Sequence, residues 1–445
     1  MDPKIVLSVL CFAVLGCFIE ESLQSEPSFS QKTQLKFASK TRYQRRNFTY
    51  EAPRNCEPLH ISMVLRHGTR YPSRNDVEKI DKMLKVVNEV IDPSTQKHIG
   101  DLRFPWKNPF SRTHDKLLTS VGEEEMYNIA KELLKRFPSL LLRPYRPQNF
   151  DFISTGTSRA TQSAMAFAFG LYEGRGGLGP SRFQPVSVQS REVNNDPLLR
   201  FFDLCPKYLT EVAENKTALL EYKKFKHGEQ MRNVLQKVSS KLIINPSVIS
   251  EDIIVGMYTA CIFEVAIYDR ANTWCQLFDD EDLMLSFVGK HSQLPENATD
   301  PSIEEKKYGT FMFAHGETLQ PLYALLGLFM DREDLKADNF LKQLERKYRT
   351  SYIAPFGANI AFVVYKCTAR DGASNKESEC YGTKTFIVQV FVNEELIALP
   401  CCGKETECPL ETFLQCFDSK PNMSCNLSSL CSVGSSGTEK SRVEL

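Results

Sequence analysis

The chain is 445 residues long, 42% hydrophobic and 25% charged, with basic and acidic residues balanced at 55 each. That size and composition exclude a disordered or fibrous protein and allow a large core divided between structural lobes. Zero net charge excludes a global field for nucleic acid or an acidic membrane surface, so no nucleic-acid partner is expected and any preference for anions must be local.

The apolar run "IVLSVLCFAVLGCFI" stops at Glu20-Glu21. It is too short and too early for a membrane span and reads as a secretory signal over residues 1 to 22, cleaved near Gly16 or Ser22; a signal anchor is the alternative. Without it the mature chain is expected to have no integral membrane span. Five Asn-X-Ser/Thr sequons, at Asn47, Asn215, Asn297, Asn422 and Asn426, agree with glycosylation on that route. Loss of Cys11 and Cys17 would leave twelve cysteines, an even number suited to disulfides in an oxidising compartment.

Residues 23 to 55, polar and basic with "RYQRR" at 42 to 46, read as an N-terminal arm, with order beginning near Cys56. A first α/β part is expected over 56 to 194. In "HISMVLRH", Ile61, Met63 and Leu65 alternate as in a buried strand; Gly68 turns the chain, and Pro72 delays a helix. "LKVVNEVI" from Leu84 suits helix core. Arg103, Lys107 and Arg112 in "RFPWKNPFSR" suit either a polyanion entrance or a solvated loop. From Leu118, "LTSVGEEEMYNIAKELLKRF" sets Met126, Ile129, Leu133 and Leu134 at helical spacing after Thr119 as N-cap. "FDFISTGTSRATQSAMAFAFGLY" repeats the strand-to-helix pattern, with Arg159 opening the helix.

Residues 195 to 300 read as a smaller helical lobe, including "SEDIIVGMYTACIFEVAIYD". The α/β part resumes over 301 to 400: "TFMFAHGETLQPLYALLGLF" is a third strand-turn-helix, with His315 at the strand end and Glu317 at the helix start. "NIAFVVYKC" and "KTFIVQVFVNEELIALP" read as neighbouring strands. The tail, 401 to 445, crowds Cys401, Cys402, Cys408, Cys416, Cys425 and Cys431; with no Cys-x-x-Cys pair and no nearby His, disulfides fit better than zinc, their connectivity open. The terminal Glu-Leu only partly matches a lumenal retrieval signal.

The fold class is therefore α/β, a sheet core flanked by helices with a helical lobe. In open α/β sheets ligands bind beyond the carboxyl ends of strands, so Arg66-His67, Arg159 and His315 can converge on one crevice. Arginine supplies permanently charged, multidentate donors for a tetrahedral phosphate, and cations beside His67 would keep its imidazole neutral and able to attack phosphorus. His315 can stabilise charge on the equatorial oxygens, and Glu317 can protonate the leaving alkoxide. A surface His67 or a merely capping His315 leaves this combination unexplained. His60, His98, His114, His227 and His291 show no mutual metal-ligand spacing, and the chemistry requires no metal or cofactor.

Arg66-His67-Gly68-Thr69-Arg70-Tyr71-Pro72, "LTSVGEEE", Arg159 in its turn, and Ala314-His315-Gly316-Glu317-Thr318 resemble the branch of histidine phosphatases containing acid phosphatases and phytases. More closely, with "NDPLLRFFDLCPKYLTEV", "ANTWCQLFD" and "FVNEELIALP", the chain resembles the multiple inositol polyphosphate phosphatase family over most of residues 56 to 400. The resemblance implies a histidine-phosphatase-type sheet; His67 as nucleophile; Arg66, Arg70, Arg159 and His315 as phosphate ligands; and Glu317 as proton donor. It also implies inositol polyphosphates such as phytate as substrates, with 2,3-bisphosphoglycerate a further candidate for 3-phosphate removal. The family's His-Ala-Glu is His-Gly-Glu here. Between Cys275 and His315 the chain is shorter than the family pattern, lacking a tyrosine- and glycine-rich segment. A broad-specificity secreted acid phosphatase and a catalytically silent phosphate-binding paralogue are the alternatives. On each of these readings the protein is expected in the secretory pathway, in the endoplasmic reticulum lumen or secreted or at the cell surface; oligomeric state is not legible.

Overall fold

A computed structural model describes residues 37–46, 50–91, 98–99, 102–214, 220–271, 273–285, 307–368, 385–418 and 431. The signal run, all five sequon asparagines, His291, Cys380, Cys425, the Glu-Leu terminus and most of the shortened stretch lie outside the described residues.

In chain order the main elements are β1 (Cys56–Arg66), α1 (Arg74–Val90), α2 (Ser120–Arg136), β2 (Phe150–Thr155), α3 (Ser158–Tyr172), β3 (Val188–Arg191), α4 (Glu229–Leu242), α5 (Glu251–Tyr268), β4 (Gly309–Ala314), α6 (Gly316–Leu325), β5 (Asn359–Cys367), β6 (Thr385–Val392), β7 (Glu395–Ile397), β8 (Cys408–Pro409) and α7 (Leu410–Asp418). The sheet runs β8-β6-β5-β1-β4-β2-β3, with β7 paired to β6. From β1 through β4 and β2 to β3 the pairings are parallel; from β1 through β5 to β6 they are antiparallel. The two strands expected as neighbours, β5 and β6, pair from Ile360 with Val392 to Cys367 with Thr385.

The period-two pattern of β1 explains its place. Ile61, Met63 and Leu65 face Met126, Ile129, Phe167, Phe311 and Phe313 beneath α2 and α3. Val64 points the other way, into a layer with Leu319 and Tyr323 of α6 and Ile360, Val388 and Val390 of the sheet. Helix starts follow the expected chemistry. Ser73, just past Pro72, caps α1 in a reciprocal pair with Asp76, and Thr119 caps α2 by accepting from the Gly122 N–H at 3.1 Å.

A third core is helical. Along α5 nearly every residue from Ile253 to Ile267 is buried, and it packs with Val77, Ile80, Met83, Leu84 and Val87 of α1 and Val234, Val238 and Leu242 of α4. Leu84 is thus helix core, as its spacing suggests. Phe37 is 1% exposed in this same core and Thr41 is fully buried. Order therefore begins well before Cys56, because these two anchors and the ion pairs Arg45–Glu132 (2.6 Å) and Arg46–Glu395 (2.9 Å) dock the basic arm.

Five disulfides close among the described residues: Cys56–Cys367, Cys205–Cys431, Cys261–Cys275, Cys401–Cys416 and Cys402–Cys408. The sulfurs of Cys401, Cys402 and Cys416 cluster closely enough to suggest a metal, but each is committed to a disulfide. Such cross-linking is the chemistry of an oxidising compartment. Among the described residues no helix is long and apolar enough to cross a membrane.

Candidate active site

Parallel register brings the motifs together. Arg66 at the end of β1 pairs with Ala314 at the end of β4, and the His67 N–H donates to the Ala314 carbonyl at 3.1 Å. His67 and His315 consequently stand side by side, with ring centroids 5.5 Å apart. The turn after His67 is held against the start of α2. A Cβ on Gly68 would lie 2.3 Å from the Gly122 carbonyl oxygen, and one on Gly122 would lie 2.2 Å from that of Thr69, so two glycines are required where these backbones touch. This contact is the structural content of "LTSVG".

His67 is 3% exposed, and its Nδ1 lies 2.8 Å from the Gly68 carbonyl oxygen. A carbonyl accepts only, so Nδ1 carries the proton and Nε2 keeps its lone pair. Burial, then Arg66, Arg159, His315 and Arg70, push the His67 pKa well below its ordinary value, which keeps the ring neutral. A neutral imidazole with one oriented free nitrogen is a nucleophile in form.

Around it stand four arginines. Arg66 is anchored by Nη1 donating to the carbonyls of Ser39 and Ala354 (2.7 Å to the latter), with its guanidinium 4.5 Å above the Phe356 ring. Arg70 donates Nη1 to its neighbour's carbonyl, Tyr71, at 2.7 Å. Arg159, second residue of α3, and Arg200, ahead of a short helical turn, converge on His315 from two sides: Arg159 Nη2 is 3.4 Å from Nδ1 and Arg200 Nη1 is 2.7 Å from Nε2. The Nε groups of Arg66, Arg159 and Arg200 are buried with no acceptor among the described residues. Buried donors without acceptors are costly, and a tetrahedral anion would satisfy them.

His315 is also neutral. Burial, then Arg159, push its pKa down to about 3 against the pull of Glu317. Because Arg200 Nη1 donates to Nε2 at the shorter distance, the His315 proton belongs on Nδ1, where it can donate to an oxygen in the crevice. Glu317, in the first turn of α6, is walled by protein but open to water from the crevice. Burial pushes its carboxyl up, yet Arg66, ahead of His315 and Lys40, holds it below the usual carboxylate range. With His315 held neutral, Arg66 is the attraction that counts. The His-Gly-Glu departure is mild: a Cβ on Gly316 would meet Arg66 Nε at 3.6 Å, an ordinary contact.

All six residues expected from the sequence thus meet in one crevice. Arg112 is instead paired at the surface with Asp81 at 2.9 Å, and with Glu78, both on α1, as a solvated loop residue would be. Sequence reasoning missed Arg200 and Glu125. Glu125 accepts from the Thr69 N–H (2.7 Å), the Thr69 hydroxyl (2.8 Å) and the Tyr43 N–H (3.0 Å), tying the turn to α2 and the arm. Its position three residues after Gly122, on the stripe shared with Met126 and Ile129, was the available signal. Glu125→Ala would strand three buried donors and is expected to cost about 2–4 kcal/mol of stability, read by chemical denaturation. Glu125→Gln, which keeps an acceptor, should retain more; equal and negligible losses would show that the carboxylate does not hold the turn.

The family profile described as histidine phosphatase superfamily (branch 2) matches residues 59–286 and 295–393. Multiple inositol polyphosphate phosphatase 1 of Gallus gallus is 32% identical over 372 residues, covering 77% of this chain and 78% of its own. Among solved structures, the phytase of D. castellii superposes with a TM-score of 0.63 at 15% identity, covering 89% of this chain and 88% of its own. The Bifidobacterium longum multiple inositol polyphosphate phosphatase in complex with inositol hexasulfate superposes with a TM-score of 0.58 at 17% identity, covering 86% and 97%. Profile, relative and fold agree with the geometry: the chain belongs to branch 2 of the histidine phosphatase superfamily, within the multiple inositol polyphosphate phosphatase family.

Proposed function

We propose that the protein is a phosphomonoesterase that hydrolyses inositol polyphosphates through a phosphohistidine on His67. The observation that carries this reading is the neutral His67 ring, its Nδ1 proton fixed on the Gly68 carbonyl and its Nε2 free, surrounded by cations with unpartnered N–H groups. In the first step Nε2 attacks phosphorus, the ester oxygen departs with the Glu317 proton, and phosphate stays on His67. In the second, water, losing a proton to the Glu317 carboxylate, displaces His67 and inorganic phosphate is released. Arg66, Arg70, Arg159 and the His315 Nδ1 proton hold the equatorial oxygens as charge builds on them. No step calls on a metal or cofactor.

The inositol polyphosphate class is supported by the named relatives and by the density of cations, more than one monophosphate needs. Removal of the 3-phosphate from 2,3-bisphosphoglycerate rests on the family resemblance alone. We further propose a glycosylated protein of the endoplasmic reticulum lumen or cell surface, on the signal run, the sequons and the disulfides. The test is phosphate release from inositol hexakisphosphate by the purified glycosylated protein from acidic to neutral pH. Release establishes the reaction. Inhibition by inositol hexakisphosphate without its turnover, while small esters are cleaved, would replace this reading with a general acid phosphatase. No release from folded protein would make it a silent phosphate binder.

A further inference from the structure

Lys40 belongs to none of the motifs, yet the fold delivers it to the crevice. The segment bearing it is pinned on both sides: Phe37 is buried in the helical core, the Thr41 hydroxyl donates to the Ala38 carbonyl at 2.8 Å and accepts from the Phe37 N–H at 3.1 Å, and the Thr41 carbonyl accepts from the Phe356 N–H at 2.9 Å. The carbonyl next to Lys40, that of Ser39, is gripped by Arg66 Nη1. A long flexible cation is thereby held beside the phosphate-binding arginines by a backbone that has no freedom to withdraw it.

Its surroundings are unusual for a lysine. Lys40 makes no ion pair among the described residues. Arg66 at the end of β1 and Arg70 in the turn after it act on Lys40, with Asp76 on α1 and Glu317 on α6 as the carboxylates within electrostatic range. Lys40 acts on Glu317 and on Asp76, so its ammonium lies on the side of the arginines where α6 and α1 approach.

We infer that Lys40 binds a second phosphate group of the substrate, one on a ring carbon next to the carbon whose ester is cleaved, and so favours polyphosphates over monophosphates. The inference rests on the phosphomonoesterase reading above. The attacked phosphate is already provided with donors from Arg66, Arg159 and His315, while the ammonium of Lys40 forms no ion pair among the described residues, Asp76 and Glu317 acting on it only from longer range. A vicinal phosphate supplies an ion-pair partner, and a lone phosphate ester does not. The same crowding makes the contact sensitive to pH. Burial, then Arg70 and Arg66, push the Lys40 pKa down to about 7. The amine is a cation below that value and loses its charge as pH rises through it, so polyphosphate affinity should weaken as pH rises past neutrality.

The experiment compares Lys40→Met and Lys40→Arg with the unmodified protein on inositol hexakisphosphate and p-nitrophenyl phosphate from pH 5 to 8.5. Turnover of both substrates by the unmodified protein checks the underlying reading; failure there sinks that reading and this inference with it. Given turnover, Lys40→Met is expected to lower kcat/KM on the hexakisphosphate about tenfold, mostly through KM, with a loss on the monophosphate several-fold smaller. Lys40→Arg keeps its charge at higher pH and should hold the hexakisphosphate KM nearly flat where that of the unmodified protein climbs. Equal losses on the two substrates in Lys40→Met, or an unaltered pH profile in Lys40→Arg, would overturn the inference. Should Lys40→Met not fold, the arginine profile decides.

Discussion

Replacing His67 with alanine is expected to lower phosphate release from inositol hexakisphosphate by on the order of 10⁴-fold or more. The expectation follows from the uniqueness of its Nε2: His315, the nearest other imidazole, has that nitrogen occupied by Arg200 and its remaining proton on Nδ1, so it has no free lone pair to offer phosphorus. The companion measurement is labelling with radioactive substrate followed by quench. A base-stable, acid-labile adduct should form on the unmodified protein and vanish in the variant. Residual release within tenfold of the parent, in a variant whose unfolding midpoint is unchanged, would remove His67 from the reaction.

Glu317→Gln should separate two kinds of ester. An alkoxide leaving from an inositol ring needs a proton in flight, and loss of a positioned acid costs about 10²–10⁴-fold. The phenolate of p-nitrophenyl phosphate leaves without one, so its hydrolysis should fall far less. The pH dependence carries a sign. In the free protein Arg66 holds the Glu317 carboxyl low and therefore ionised. An arriving phosphate offsets Arg66, which raises the carboxyl pKa in the complex and puts a proton on the acid. Turnover of inositol esters should then decline as pH rises through that raised value, and the decline should flatten in the glutamine variant. An equal loss on both esters, with the alkaline limb intact, would deny Glu317 its acid role.

Three strand ends were legible because each is a short apolar run broken by a glycine-bearing turn: Ile61, Met63 and Leu65 before Gly68, Phe150 to Thr155 before Gly156, and Phe311 to Ala314 before Gly316. Their convergence followed from a general rule of open sheets. What stayed hidden depends on contacts between distant segments. Arg200 sits in an irregular stretch and becomes significant only where its guanidinium reaches His315. The stretch from 37 to 46 reads as a loose basic arm, since composition does not show that Phe37 and Thr41 anchor it or that Arg45 and Arg46 find Glu132 and Glu395. Arg112 shows the converse: a cation that suits an anion entrance by composition is spoken for by Asp81.

The position of β1 has a consequence for biosynthesis. It is among the first strands made, yet it lies in mid-sheet between β4 and β5, and its own cysteine, Cys56, is joined to Cys367, 311 residues further along. At 5–20 residues per second of translation, the nucleophile's strand waits roughly 15–60 s for its last neighbour to emerge. A nascent chain therefore carries His67 from early on, and acquires a place to hold phosphate only when the strands around it have all been delivered.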